Sequence, residues 1–300
     1  MKTRHIALAI LITAIWGLNF SVIKIGLQSV DPFILAAIRF LLCALPAVLF
    51  IKKPDTPWRF LIAYGLLFGV GLWGVVNLGI NAGISAGIAS LVLQLSAFFT
   101  ILLGSVVFRE AISKYQYAGI GLALMGLFSI IPIRDGTVTL AGLGCVILGA
   151  LSWSVSNIMI KKAGTKDVLA FLVWSSLFSP LPLFAISYGI HGSAGYAMLS
   201  SQLNSTAIFS ILFQVYPTTL FGYWIWNSLL KKYPVSTVAP LSLLVPIFGM
   251  LGSSMIFHET LSALKLTAIV LIVLGLAVGL YGAQLSSRFL KTPVSGSSRI

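Results

Sequence analysis

Residues 97–113 read AFFTILLGSVVFREAIS and residues 246–262 read PIFGMLGSSMIFHETLS, which sets Glu110 opposite Glu259. Upstream, WGLNFSVIK (16–24) pairs with WSVSNIMIK (153–161); downstream, YAGIGLALMGL (117–127) pairs with LTAIVLIVLGL (266–276). Three matched stretches in one order read as a duplication of a single unit. How many times each unit crosses its surroundings then decides whether the two copies lie parallel or upside down.

Those surroundings are a lipid bilayer. Hydrophobic residues make up 58% of the chain and charged residues 8%, and the apolar runs are separated by short polar breaks instead of collecting into one core. A helical run of about 20 residues crosses a hydrocarbon layer of ~30 Å at ~1.5 Å per residue. Ten such runs fit, near 6–27, 33–51, 59–79, 84–107, 116–133, 138–160, 168–188, 206–229, 235–257 and 262–284. Asp31-Pro32, Lys52-Lys53-Pro54-Asp55, Arg109-Glu110, Arg134-Asp135-Gly136, Lys161-Lys162 and Lys231-Lys232 punctuate them. Apolar all round, these helices belong inside lipid and not on its surface. Met1-Lys2-Thr3-Arg4-His5 before the first run imitates a signal peptide, but no small-residue cleavage site follows, so the run reads as a retained span.

Five spans per unit is an odd number, so the second unit enters the membrane in the opposite direction. With a cytoplasmic N-terminus the inside regions hold fifteen Lys and Arg residues against Lys24, Arg134 and Lys265 outside. That imbalance puts both termini in the cytoplasm. The expected fold is an all-α integral membrane protein of ten transmembrane helices in two inverted five-helix repeats. Residues 1–135 form the first repeat, 136–285 the second, and 286–300 a disordered basic cytoplasmic tail. The net charge of +13 then belongs to loops near anionic headgroups, not to nucleic-acid binding. Inverted repeats suit transporters, because exchanging the conformations of the two halves turns an inward-open cavity outward.

On a helix Trp16, Asn19, Phe20 and Ile23 share one face, as do Trp153, Ser156, Asn157 and Ile160. An amide facing lipid is costly, so each face looks into a cavity or across a helix interface, and both readings stand. Lys24 and Lys161 end their spans and are expected to snorkel to the membrane surface. Arg39, about 10 Å beyond Pro32 at ~1.5 Å per residue, is the only basic residue well inside a span. It snorkels, holds a structural hydrogen bond, or meets a substrate carboxylate. Gln94 in the fourth span, Trp73 and Asn77 in the third, Tyr216-Pro217 in the eighth and Ser242 near Pro246 in the ninth are further candidates for substrate contact or interhelical bonding.

With these residues in place, the sequence resembles the EamA-type drug/metabolite transporters across residues 6–284. WGLNFSVIKIGL, PFILAAIRF, GISAGIASLVLQLSAFFTILLG and APLSLLVPIFGMLGSSMIFHETL are most similar to the bacterial O-acetylserine/cysteine exporter branch. The resemblance implies a central cavity lined by the first, third, fourth, sixth, eighth and ninth spans, with the fifth and tenth peripheral. One departure is visible: Ala97 stands where the fourth span should carry Pro, while its partner Pro246 is kept. Whether the fourth helix bends like the ninth is left open.

All six acids, Asp31, Asp55, Glu110, Asp135, Asp167 and Glu259, fall at span ends or in loops. A proton-coupled pump for cations needs a carboxylate near the membrane centre, so a small zwitterion suits this chain better. HETLS (258–262) has Ser262 where HExxH needs its second His, there is no GxSxG or Walker loop, and Cys43 and Cys145 stand isolated. No enzyme, metal or cofactor is expected. Gly65-xxx-Gly69, Gly83-xxx-Gly87 and Gly275-xxx-Gly279 let helices approach within a monomer, and the third, continued by Gly282, alternatively offers the face of a weak homodimer. The expected function is a secondary transporter of the inner membrane that exports small amino-acid-like metabolites such as cysteine or O-acetylserine by alternating access. Its partners are a small zwitterionic substrate and the bilayer. Two alternatives are a proton-coupled exporter of drugs or aromatic compounds, suggested by seven Trp, and a membrane scaffold or sensor without transport.

Overall fold

The computed structural model describes residues 1–289 apart from 134, 198 and 234, and every regular element over them is helical. In chain order the long elements are α1 (Thr3–Gly26), α2 (Pro32–Phe50), α3 (Trp58–Asn81), α4 (Ala86–Phe108), α5 (Lys114–Ile130), α6 (Leu140–Ala163), α7 (Val168–His191), α8 (Ser205–Lys232), α9 (Leu241–Phe257) and α10 (Ala263–Phe289). Among the described residues eight of these are long and apolar enough to cross a membrane; α9 is shorter, and α5 has 17 residues. α10 continues past residue 285, so residues 286–289 of the expected tail are helical. Residues 290–300, with Lys291 and Arg299, lie outside the described residues, as does Arg134.

Helix ends in an apolar medium need partners for their free N–H groups. Asp31 caps α2 by accepting from the Phe33 and Ile34 N–H groups at 2.9 and 3.0 Å, with Pro32 in the first turn where it costs no bond. The same carboxylate meets His191 at 3.1 Å and so ties the start of α2 to the end of α7. Thr139 caps α6, and Ser113 with Gln116 makes a capping box on α5.

The irregularities come in matched pairs. α3 is wound as a π-helix over Leu66–Gly74 and α8 over Gln214–Phe221. In α3 the Leu67 carbonyl of this stretch is taken by the Ser152 hydroxyl and that of Gly65, just before it, by the Ser179 hydroxyl, both at 2.8 Å. α4 is interrupted in mid-span at Gln94 (φ −64°, ψ −16°), and α9 is interrupted at the matching Leu243 (φ −63°, ψ −15°), near its start. α4 therefore breaks as α9 does although it lacks the proline. The reason is position: Pro246 lies in the first turn of the segment that starts at Leu244, where its missing N–H removes no interior bond. Ala97, in the same place, gives its N–H to the Gln94 carbonyl at 3.1 Å. Proline is permitted by this break and does not cause it.

The ends of α4 and α9 match as well. Arg109 (φ 56°) and His258 (φ 54°) both terminate their helices in the left-handed region, which explains His258 without any metal chemistry. Each turn throws the next residue, a glutamate, back toward a lysine of the other half. Glu259 meets Lys24 at 3.0 Å, and Glu110 pairs with Lys161. Lys24 lies 4.3 Å over the Phe257 ring and Lys161 4.4 Å over Phe108. Each of these lysines, expected to snorkel to the membrane surface, thus has a carboxylate and an aromatic face as its neighbours within the protein.

The small-residue stripes are used within the chain. Gly119 and Gly275 pack backbone to backbone, a Cβ on Gly119 falling 2.5 Å from the Gly275 carbonyl oxygen, and Gly282 lies against Tyr115. α10 is thereby pressed onto α5, which occupies the face that the sequence alone also offered to a dimer. Gly83 is no part of a helix stripe but a turn residue at φ +99°.

Candidate functional site

A cavity of about 530 Å³ lies between the halves, and among the described residues neither α5 nor α10 contributes to its wall. Trp16 enters it from α1. Its Nε1 donates to the Thr218 carbonyl at 2.9 Å, and its ring lies 5.1 Å from Trp226 and 5.5 Å from Tyr223. The indole reaches that carbonyl only because residue 222 is glycine: a Cβ there would be 2.6 Å from Nε1. One turn on, Asn19 accepts from the Thr218 hydroxyl at 3.1 Å while its Nδ2 has no partner.

The matching face of α6 puts Trp153, Asn157 and Ile160 on the wall, and Asn157 donates to the Thr100 hydroxyl at 3.2 Å. The two readings of these asparagines are therefore both true: each bonds a neighbouring helix and each borders the cavity. Two members of the expected faces do not reach it. Ile23 is in the core, and Ser156 bonds back to the Ser152 carbonyl. Gln94 and Ser242 stand on the wall at the breaks of α4 and α9.

Arg39 does not snorkel. It is 1% exposed, its guanidinium 4.3 Å over the Trp73 ring, and it donates to Thr219 Oγ1 at 3.0 Å and, more weakly, toward Gln214 Oε1 at 3.5 Å. Among the described residues no carboxylate is within ion-pair distance. Both Arg39 and Trp73 border the cavity.

Two expected site residues lie elsewhere. Asn77 is fully buried away from the cavity and donates to the Pro32 carbonyl at 3.2 Å, fastening α3 to the start of α2. Tyr216 is half exposed and faces an outer groove with Ile15, Ala47 and Trp224. An unbroken α-helix would set Tyr216 on the face of Tyr223 and Asn227, seven and eleven residues on. The π-helical stretch over Gln214–Phe221 holds more residues per turn and rotates it outward.

Sequence reading missed Tyr64, Thr218, Tyr223, Trp226 and Asn227, all on the wall. A signal was present in α8, the least apolar of the long helices, where Tyr223, Trp226, Asn227 and Leu230 follow the i, i+3, i+4, i+7 spacing of a single face.

Comparison with known proteins agrees with this architecture. The model of the EamA-like transporter family matches twice, over residues 3–131 and 140–281. A protein of Salmonella typhimurium strain LT2 named "Probable amino-acid metabolite efflux pump" is 38% identical over 281 residues, 92% of this chain and 94% of that protein. One of the same name from Escherichia coli K12 is 37% identical, covering 95% and 97%. A solved crystal structure at 21% identity superposes with a TM-score of 0.61 over 96% of this chain and 99% of that one, a likeness of fold alone. Matched through nearly its whole length, the chain belongs to the EamA-like transporter family and is a multi-pass membrane transporter, not an enzyme.

Proposed function

We propose that the protein exports small amino-acid-like metabolites, cysteine and O-acetylserine among them, by alternating access through ten spans in two inverted repeats. It sits in the inner membrane with both termini in the cytoplasm. The observation that carries this reading is the reciprocal pair of ion contacts, each joining a lysine of one half to a glutamate of the other, at unequal exposure. Glu259 is 9% and Lys24 32% exposed, whereas Glu110 and Lys161 are 54% and 53% exposed. Inverted repeats in different conformations produce such an asymmetry: one pair is packed among its neighbours, while its counterpart, although formed, lies out in water. The cavity wall reaches Ile160, Val168 and Leu230, beside Lys161 and Lys231 on the basic, cytoplasmic side. This arrangement fits an inward-facing state with the Lys24–Glu259 end closed.

The wall supports a small, overall neutral cargo. It combines aromatic faces and amides with a single cation and, among the described residues, no acid. Without a titrating carboxylate in the cavity the flux is facilitated and runs down the substrate gradient. The two bacterial relatives named as amino-acid metabolite efflux pumps point the same way. The aromatic lining also favours a second reading, an exporter of aromatic compounds, but a cationic drug would meet Arg39 with no carboxylate to offset it.

Purified protein in liposomes loaded with labelled cysteine, O-acetylserine or an aromatic amino acid separates these readings. Saturable efflux of the small amino acids that ignores an imposed pH gradient is expected. Efflux restricted to the aromatic amino acid, or driven by the gradient, would refute the proposal.

A further inference from the structure

Four residues that line the cavity each carry a fully buried polar atom with no hydrogen-bond partner among the described residues: Asn19 Nδ2, Arg39 Nε, Trp73 Nε1 and Asn227 Nδ2. All four are N–H donors. Elsewhere in the chain the unpartnered buried atoms are hydroxyls, which rotate to suit their surroundings, and one amide oxygen, Asn77 Oδ1. The bias toward donors is confined to the cavity.

Several backbone acceptors beside the cavity are already engaged. The carbonyl of Thr218 takes the Trp16 indole and that of Gln214 the Thr219 hydroxyl. The Ser96 carbonyl, beside the break in α4, takes both Ser154 and Thr100. Among the described residues no aspartate or glutamate borders the space. Meanwhile Arg39 keeps a buried guanidinium on an aromatic ring and two neutral oxygens, which leaves its charge uncompensated in a low-dielectric setting. A bound anion would supply what the wall lacks.

We propose that this cavity is a carboxylate receptor: Arg39 and Trp73 hold the carboxylate of the cargo, and the ammonium group of an amino acid is dispensable. The substrate class is then small monocarboxylates with an apolar or aromatic body, of which amino acids are one kind. This rests on the transport reading above and on the same cavity, and widens its cargo from overall neutral amino acids to anionic carboxylates. The carboxylate lies against Arg39 Nε and Trp73 Nε1, while the rest of the molecule packs on the faces of Trp16 and Trp153.

The test is thermal unfolding of the detergent-purified full chain with S-methylcysteine, its N-acetyl derivative, its methyl ester and its decarboxylated amine, with sodium chloride as a further arm. The two carboxylates should protect and the ester, the amine and chloride should not. Arg39→Gln should weaken carboxylate protection about tenfold or more, the loss expected of a buried charged hydrogen bond. Trp73→Phe keeps the ring over the guanidinium and removes one donor; a smaller loss is expected there. If Arg39→Gln does not fold, undiminished protection of Trp73→Phe overturns the proposal. Equal protection by the ester, the amine or chloride overturns it as well, as does the absence of protection by either carboxylate. Protection by both carboxylates with no counterflow of S-methylcysteine in liposomes would uphold the receptor and count against amino-acid export instead.

Discussion

Residue 222 is glycine because the Trp16 indole occupies the space of its side chain, and that indole in turn satisfies the Thr218 carbonyl. Gly222→Ala places a methyl group 2.6 Å from Nε1. The indole must then leave its carbonyl, so transport should fall several-fold while insertion into the membrane is unchanged, as measured by flux beside the amount of protein in the membrane. Asn157→Ala and Gln94→Ala should likewise lower flux without lowering insertion, whereas Tyr216→Ala, facing the outer groove, should leave flux unaltered. Full activity in both of the first two variants would contradict the cavity assignment. The placing of Trp16, Asn19, Trp153 and Asn157 was legible in the sequence, because regular α-helix carries the face of one residue predictably to the next. Tyr216 was not, because the π-helical stretch before Tyr223 shifts that register and nothing in QVYPTTLF announces it.

At the scale of elements, apolar run length is a strong signal, since a bilayer of fixed thickness demands it. The long helices accordingly lie where composition puts them. Their interruptions are less legible. A proline in α9 suggested a bend there and its absence left open whether α4 bends likewise; both break at equivalent places. If the proline merely occupies a first turn, Ala97→Pro should cost only about 1 kcal/mol, the value of one hydrogen bond, here that to Gln94. A proline at Ile101, inside the same segment, should cost about 3 kcal/mol or more. Thermal unfolding of the two variants in detergent compares them directly. Similar losses at both positions would mean that residue 97 lies in a helix interior and that the break is misplaced.

For the whole molecule, the duplication and the lopsided distribution of lysine and arginine were visible in the sequence, and the family model matches once in each half. The contacts that join the halves were not. Lys24 and Glu259 are separated by most of the chain, and only the left-handed turns at Arg109 and His258 bring each glutamate back to its lysine. If these contacts are alternating latches, the end that is shut in this structure must open once in every transport cycle. The direct measurement joins that end with a reducible bis-maleimide between Lys24→Cys and Glu259→Cys, in a chain whose Cys43 and Cys145 are replaced, and follows efflux from liposomes before and after the linker is cut. The account predicts that the cross-linked protein does not transport and that reduction restores flux. A cross-linked protein that transports at the full rate would contradict it.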